Sequence, residues 1–500
     1  MRWKMNFDLF RERNQPDHNA EQKFEINEKN LHLLFDNCSD IQFQPIQFND
    51  VDAILLFCKG MTDEKELGIK VLPEMRSFLS KNTEESLKEQ HKLEQLQIKD
   101  LSIIHSKEKM IQLIFSGYGL FYFKKIGLLL SFEMSNKPKR AITETSMEVS
   151  MKGPRDNFIE DITTNMALIR KRLPTNSLRS EELTVGTRSK TAINIVYMDD
   201  IANKEVLEKV KNKIDQINVD AIYSGQQLIE LMEKKSTLFP IYDYSARPDY
   251  LVKSLVTGRI ILLIDGLPYA IIIPANFFLL IKSAEDSDFP FLYSSFERLI
   301  RLIGILLAAL LPGFWISVTS FHPNQLPVTL LATIIESRKG IPLSAGLEAL
   351  MMLVLFELFR EAGLRLPAPI GQTLSVVGGL IIGDAAIRAG LTSPSMLVVI
   401  AASSVATYTL TNQALVGALT LVRFFILIIS SFLGFFGFFL SLFFVLLWIA
   451  NIRVFGIPYL VIGANINIME ILKSLVHLPA SKEKQRMKIL NPKDKSREDS

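Results

Sequence analysis

The sequence predicts a multi-span α-helical membrane domain preceded by an N-terminal cytosolic α/β region of two subdomains, expected to be duplicates of each other. Three observations carry this. Charged residues almost vanish after Arg301, strand-like apolar runs alternate with helical patterns before Lys282, and two pairs of passages in that first part echo each other at a nearly constant offset.

The average composition hides the division. With 48% hydrophobic and 22% charged residues the chain looks ordinary, yet its first 282 residues are patterned like a soluble protein long enough for two domains. Beyond Arg301 only His322 can titrate before Glu336, and the intervals Arg365–Asp384, Arg388–Arg423 and Arg423–Arg453 carry no charge. A hydrocarbon core of ~30 Å needs about 20 apolar residues per helix, and each interval can hold one. The net charge of +3 is not gathered into a basic stripe with interleaved aromatics, which argues against a nucleic-acid partner.

Residues 1–30 are polar and rich in Asn, Gln and Glu, too poor in apolar side chains to offset the entropy of ordering, and read as a flexible arm. The first α/β subdomain is expected over 31–145, a connecting helix over 146–185 and the second subdomain over 186–290. Ala53–Phe57 reads as a buried strand followed by Gly60-Met-Thr-Asp63 and helical spacing. Ala192–Tyr197, followed by Asp199–Ala202 and the helical pattern EVLEKVKNKI, repeats that order. Ser116–Phe132 and Thr257–Ile273 each read as a β-hairpin, the second turning at Asp265-Gly266. Matching position 53 to 192 and 117 to 258 gives offsets of 139 and 141, which points to an internal duplication. Between the copies, Gly153-Pro154 breaks the chain and NFIEDITTNMALIRKRL runs with helical periodicity to Pro174. Cys38 and Cys58 read as buried or idle thiols, and the N-terminus lacks the apolar core of a signal peptide.

The transmembrane domain is expected over 291–465 with about six passes and one interfacial helix. Phe296–Ser320 is the first span, with Arg298 and Arg301 at its start and Trp315 near its far end. Pro327–Lys339 is too short to cross and reads as interfacial. Leu347–Leu364, Gly371–Arg388 and Met396–Leu410 follow as spans. Val416–Ile452 is too long for one perpendicular helix: it is either one long tilted helix or turns near Gly434-Phe-Phe-Gly437, and parity favours the two passes of the turn, which leave both termini in the cytosol. The tail, 466–500, is basic at Lys482, Lys484, Arg486 and Lys488, which favours the cytosolic face and contact with membrane lipid.

Charged side chains within such helices are costly and point to function or to pairing. Glu357, Arg360 and Glu361 share a helix face and can neutralise one another, and Asp384 and Arg388 stand four apart. Glu348 has no evident local partner, so Glu348 and Asp384 are the stronger candidates for a water-filled path. The segment from Pro369 to Asp384 is built of small, mildly polar residues, as in closely packed membrane helices. On a helix, Gln372, Ser375, Val376, Gly379, Leu380 and Gly383 fall in one sector. Ringed about an axis, that sector would give a conduit with an apolar constriction able to gate by dewetting.

Enzymatic signatures are missing: no GxxxxGK[ST], HExxH, GxSxG or CxxC occurs, so neither catalysis, a cofactor nor a metal is expected. His322, beside Pro323, reads as an interfacial residue.

The run FHPNQLPVTLLATIIESRKGIPLSAGLEALMMLVLFELFREAGLRLPAPIGQTLSVVGGLIIGDAAIRAGLTSP resembles the membrane domain of the A subunit of the GerA-type spore germination receptors. GPRDNFIEDITTNMALIRKRL, RPDYLVKSLVTGRIILLIDGLPYAIIIPANFF and FGIPYL resemble blocks of that family in the same order, so the resemblance covers roughly 35–465. Thr411-Asn412-Gln413 departs from it by lacking a proline-containing break. The resemblance implies a non-enzymatic subunit in the inner membrane of a bacterial endospore. It implies a transporter-like B subunit and a lipoprotein C subunit as partners, and a homo-oligomeric ring that conducts cations as germination begins. A secondary transporter, or a membrane scaffold with a cytosolic regulatory domain, is the alternative class.

Overall fold

The computed structural model describes residues 26–93, 95–137, 152–233, 237–365, 383–460, 476, 479, 485–486 and 488–497. The chain forms two compact units, one comprising residues up to Pro138 with Pro174–Asn176, the other Lys139–Leu173 with Ser177 onward.

The first unit is built on a five-stranded antiparallel sheet of strands β1 (Ile41–Phe48), β2 (Val51–Cys58), β3 (Ser102–Ile103), β4 (Tyr118–Phe123) and β5 (Leu128–Glu133), ordered β1-β2-β4-β5-β3. Strand β1 alternates polar and apolar residues and carries Pro45, which an edge strand tolerates because one side of its ladder is unpaired. It turns into β2 through Asn49-Asp50, with Asn49 at φ 53°. The central strands are apolar along their length because helices pack on the sheet; α1 (Leu72–Lys81) contributes Met75, Phe78 and Leu79, and α2 (Lys107–Ile114) contributes Met110 and Ile114 to buried positions. Phe48, Leu55, Phe121 and Phe132 are fully enclosed, and burial of each such side chain is worth about 1.5–3 kcal/mol.

The second unit begins with α3 (Ile162–Arg170), capped by Asp161, whose carboxylate accepts from the Thr164 amide. Its sheet contains β6 (Leu178–Val185), β7 (Thr191–Met198), β8 (Asp243–Ser245), β9 (Ile260–Ile264) and β10 (Ala270–Ile273), ordered β6-β7-β9-β10-β8. Of the stretch read from sequence as a connecting helix over 146–185, only α3 is helical among its described residues, and 178–185 is an edge strand of the second sheet. Helices α4 (Lys204–Asp215), α5 (Gly225–Glu233) and α6 (Pro248–Val256) complete the subdomain.

The two sheets share more than strand order. Ala53 pairs with Phe123 and Leu56 with Leu120 in the first; Ile193 pairs with Ile264 and Val196 with Ile261 in the second. Asp63 and Asn203 each cap the helix that follows the second strand of their sheet. Gly117 and Gly258, at φ 92° and 96°, each end the helix before the fourth strand in a conformation that favours glycine. The Lys124 amide donates to Asp52 O at 3.4 Å and the Asp265 amide to Ala192 O at 3.0 Å. This register aligns 53 with 193, an offset of 140 and not the 139 read from sequence; a one-residue slip would reverse every side chain across the sheet.

After Pro290 the second unit becomes an apolar helical bundle. Helices α7 (Phe291–Ile316), α8 (Val328–Ser337), α9 (Ala345–Arg365), α10 (Pro394–Thr407) and α11 (Gln413–Asn451) are described, as is helical backbone over 383–388. The helical runs Phe291–Phe321 and Gln413–Asn451 are each long and apolar enough to cross a membrane. Helix α11 is bent back at Gly434, whose φ of 58° and ψ of −140° are not helical. A Cβ on Gly437 would lie 2.6 Å from Ile429 O, whereas eight residues of straight helix span about 12 Å. The foot of the first leg meets the second sheet through Asn412 and Asp243, and the foot of the other leg returns to the loop just before β8, where the Trp448 ring is 5.9 Å from that of Phe239. The turn expected near Gly434-Phe-Phe-Gly437 is therefore present.

The C-terminal tail also returns. Leu490 is buried in the core of the second unit, Arg486 Nε donates to Val256 O at 2.9 Å, and the Lys493 amide donates to Ile201 O at 2.9 Å. Over its last described residues the basic tail is thus a docked segment.

Candidate functional site: buried charges along the helical bundle

The bundle has a base, against the second sheet, and an outer end, where Gly434 lies against Phe321. At the base, Asp286 is fully buried and accepts from Arg298 Nε and Arg301 Nη1, both at 2.7 Å. Arg301 also reaches Glu297 at 3.2 Å, so the two arginines that open α7 are paired with carboxylates inside the protein. Burial alone would push the Asp286 carboxyl up, but the two guanidinium groups outweigh it and hold the carboxyl below its usual range. Also at the base, Asp243 accepts from Asn412 Nδ2 at 2.8 Å and Tyr250 OH at 2.9 Å. Here burial wins, raising the Asp243 pKa against these hydrogen bonds and the charge of Arg259. Asn412 both caps α11 through the Leu415 amide and ties that cap to β8.

Halfway along the first leg of α11, 11 residues from both Asn412 and Gly434, stands Arg423, 2% exposed. Its guanidinium lies 3.5 Å from Glu357 Oε2 on α9 and 3.3 Å from Ser403 Oγ on α10, and its Nε has no hydrogen-bond partner among the described residues. Ser403 Oγ donates in turn to Ala308 O on α7 at 2.9 Å, so one polar cluster joins four helices. Glu357 also pairs with Arg360, while Glu361 pairs with Arg365 at 2.7 Å and not with Arg360. At the outer end Glu348 is fully buried and accepts from Thr392 Oγ1 at 3.1 Å and from both the amide and hydroxyl of Ser393 at 2.7 Å. Arg338 Nε stands 3.6 Å away.

Glu348, which has no evident local partner in the sequence, is enclosed by groups 44 and 45 residues on and by Arg338. The Asp384–Arg388 pair forms at 2.9 Å with both side chains more than half exposed. Of the six residues proposed to line a conduit, Gln372, Ser375, Val376, Gly379 and Leu380 lie outside the described residues; Gly383 packs against Leu397, whose Cδ2 is 3.0 Å from where a Cβ would sit. Arg423, which the sequence showed only as the boundary of two charge-free intervals, is the residue that sequence reasoning passed over. Its signal was a lone arginine between two long apolar runs, which in a membrane helix calls for a partner.

Comparison with known proteins fits this arrangement. Residues 29–489 match the family model described as the Bacillus/Clostridium GerA spore germination protein. The chain is 39% identical over 482 residues to spore germination protein XA of Bacillus anthracis, covering 95% of this chain and 97% of that protein. It is 31% identical over 471 residues to spore germination protein B1 of Bacillus subtilis (strain 168), covering 92% and 95%. Among solved structures, the N-terminal domain of the A subunit of the Bacillus megaterium spore germinant receptor GerK3 matches at 23% identity with a TM-score of 0.35, over 51% of this chain and 97% of that one. The chain belongs to the GerA family of spore germination proteins.

Proposed function

We propose that this chain is the A subunit of a nutrient germinant receptor in the inner membrane of the spore, and that its helical bundle conducts cations as a homo-oligomer. A transporter-like B subunit and a lipoprotein C subunit would be its partners. The family membership supports the role in germination. The observation that carries the conducting role is the Arg423–Glu357–Ser403 cluster at mid-bundle, because ionisable groups at such depth are retained where they serve an ion path or a gate. Successive legs run outward along α7, inward along α9 and α10, and outward and inward along the two halves of α11. Six crossings in all would place both α/β subdomains in the cytosol, with membrane lipid around the bundle. The recurrence of strand order, caps and glycines in the two subdomains supports their origin by duplication.

Spores carrying Val376→Trp or Gly379→Trp test the conduit. The expected outcome is normal receptor abundance with nutrient-triggered cation release slowed at least tenfold. Unchanged release from both variants would exclude this sector as the pore lining.

A further inference from the structure

In the first unit the sheet is followed directly by a short edge segment, Met134-Ser135-Asn136. The Asp63 amide donates to Met134 O at 2.8 Å and the Asn136 amide to Met61 O at 2.8 Å. Between these two bonds Ser135 lies against Gly117: a Cβ on the glycine would be 2.9 Å from Ser135 Oγ. The segment closes the groove between the helix cap at Asp63 and the glycine turn.

The same groove exists in the second unit, formed by Ile201, Asn203 and Gly258, which correspond to Met61, Asp63 and Gly117 at offsets of 140, 140 and 141. Counting on from β10, its own continuation would be Ala275-Asn276-Phe277. Those residues go elsewhere: the Ala275 amide donates to Ile241 O at 3.1 Å and the Phe277 amide to Tyr459 O at 3.2 Å. The groove is filled instead by Asn491-Pro492-Lys493. The Lys493 amide donates to Ile201 O at 2.9 Å, Asn203 Nδ2 donates to Asn491 O at 3.2 Å, and Pro492 Cβ is 3.5 Å from where a Cβ on Gly258 would sit. Donor, acceptor and glycine contact recur in the same order along the segment, with Leu490 buried just ahead of it.

We infer that the groove at Ile201, Asn203 and Gly258 is a binding site for an extended peptide segment, and that its occupant is this chain's own C-terminus, standing in for the edge segment that the first subdomain supplies locally. The whole helical bundle is then an insertion between β10 and the last piece of the second subdomain. A segment held by three hydrogen bonds and the side chains of Ile489, Leu490 and Pro492 is releasable, unlike an internal strand. The site therefore accepts the same segment in trans once its own copy is displaced.

The test uses the full-length chain with Leu490→Asp, which removes the buried anchor and leaves the groove residues intact. Hydrogen exchange is followed at Met198–Asn203 and Val256–Arg259, with Cys58–Asp63 and Phe115–Tyr118 of the first subdomain as internal reference. Exchange at the second-subdomain positions is expected to rise at least tenfold while the reference stays unchanged. Excess synthetic peptide of residues 485–497 should restore protection, and the same peptide carrying Leu490→Asp should not. Unchanged exchange in the variant, or a rise that the native peptide fails to reverse, overturns the inference. A second variant lacking residues 485–500 must behave as the first; protection equal to the parent chain would equally overturn it.

Discussion

Substituting Gly434 by alanine tests whether the longest helix must fold back. At φ 58° and ψ −140° the backbone lies in a region essentially reserved for glycine, and holding another residue there costs about 1–3 kcal/mol. The added Cβ would also fall 2.7 Å from Phe321 Cγ and 2.8 Å from Phe321 Cβ, so the end of the α7 helical run must shift; overpacking of this kind costs about 1–3 kcal/mol more. The sum, about 2–6 kcal/mol, is a large share of the stability of an ordinary domain. Relief by straightening is closed off, because 39 residues of continuous helix would run about 58 Å, well beyond a hydrocarbon core of about 30 Å. Thermal unfolding of purified protein in detergent, followed by Trp fluorescence, should show a clear fall in Tm, and a cysteine placed at Trp448 should gain reactivity as its leg loosens from Phe239. Wild-type melting together with wild-type reactivity would refute the reasoning.

Two further outcomes follow from the buried carboxylates at the base. Asp286→Asn removes the buried anion that Arg298 and Arg301 share, leaving Arg301 only the more distant Glu297 carboxylate, and should cost about 3–5 kcal/mol, read as a lowered denaturation midpoint. Because the Asp286 pKa is depressed in the folded chain, its contribution is present above the ordinary carboxylate value and is lost as pH falls through the folded value; the variant should lack that acid-dependent loss. Asp243 has the opposite sign. Its pKa is raised, so the folded state holds the proton more tightly and stability declines as pH climbs from the ordinary carboxylate value through the raised one. Asp243→Asn should flatten that decline in a Tm series against pH, and a series parallel to that of the parent chain would contradict the assignment.

What could be read from sequence was set by how local the signal is. The apolar runs of β2 and β7 and the Asp265-Gly266 hairpin are local, and each has its counterpart in the fold. The edge strands β1 and β6 escaped because IQFQPIQF and LRSEELTV face water on one side, and their alternation with Gln and Glu resembles a solvated segment. Strands β3 and β8, of two and three residues, are too short to show a period. The partners of the buried charges were least legible: Asp286 finds Arg298 12 residues on, Glu348 finds Ser393 45 residues on, and Glu357 finds Arg423 66 residues on. Only tertiary packing brings those pairs together, so a sequence that displays Glu348 alone gives no sign of the serine and threonine that enclose it.

The bent helix α11 has a mechanical consequence. Its two feet, Asn412 and Trp448, rest on β8 and on the loop that leads into it, and its knee, Gly434, is pressed against Phe321. A strut pinned at both feet cannot slide one leg along the other without releasing a pin or opening the knee. Small rotations of the second subdomain are therefore transmitted as a rocking of the whole strut, with the largest travel at the knee. Arg423, halfway up one leg, moves by about half that travel against Glu357 and Ser403 on its neighbours, so a tilt at the base is read out as a change in their separation.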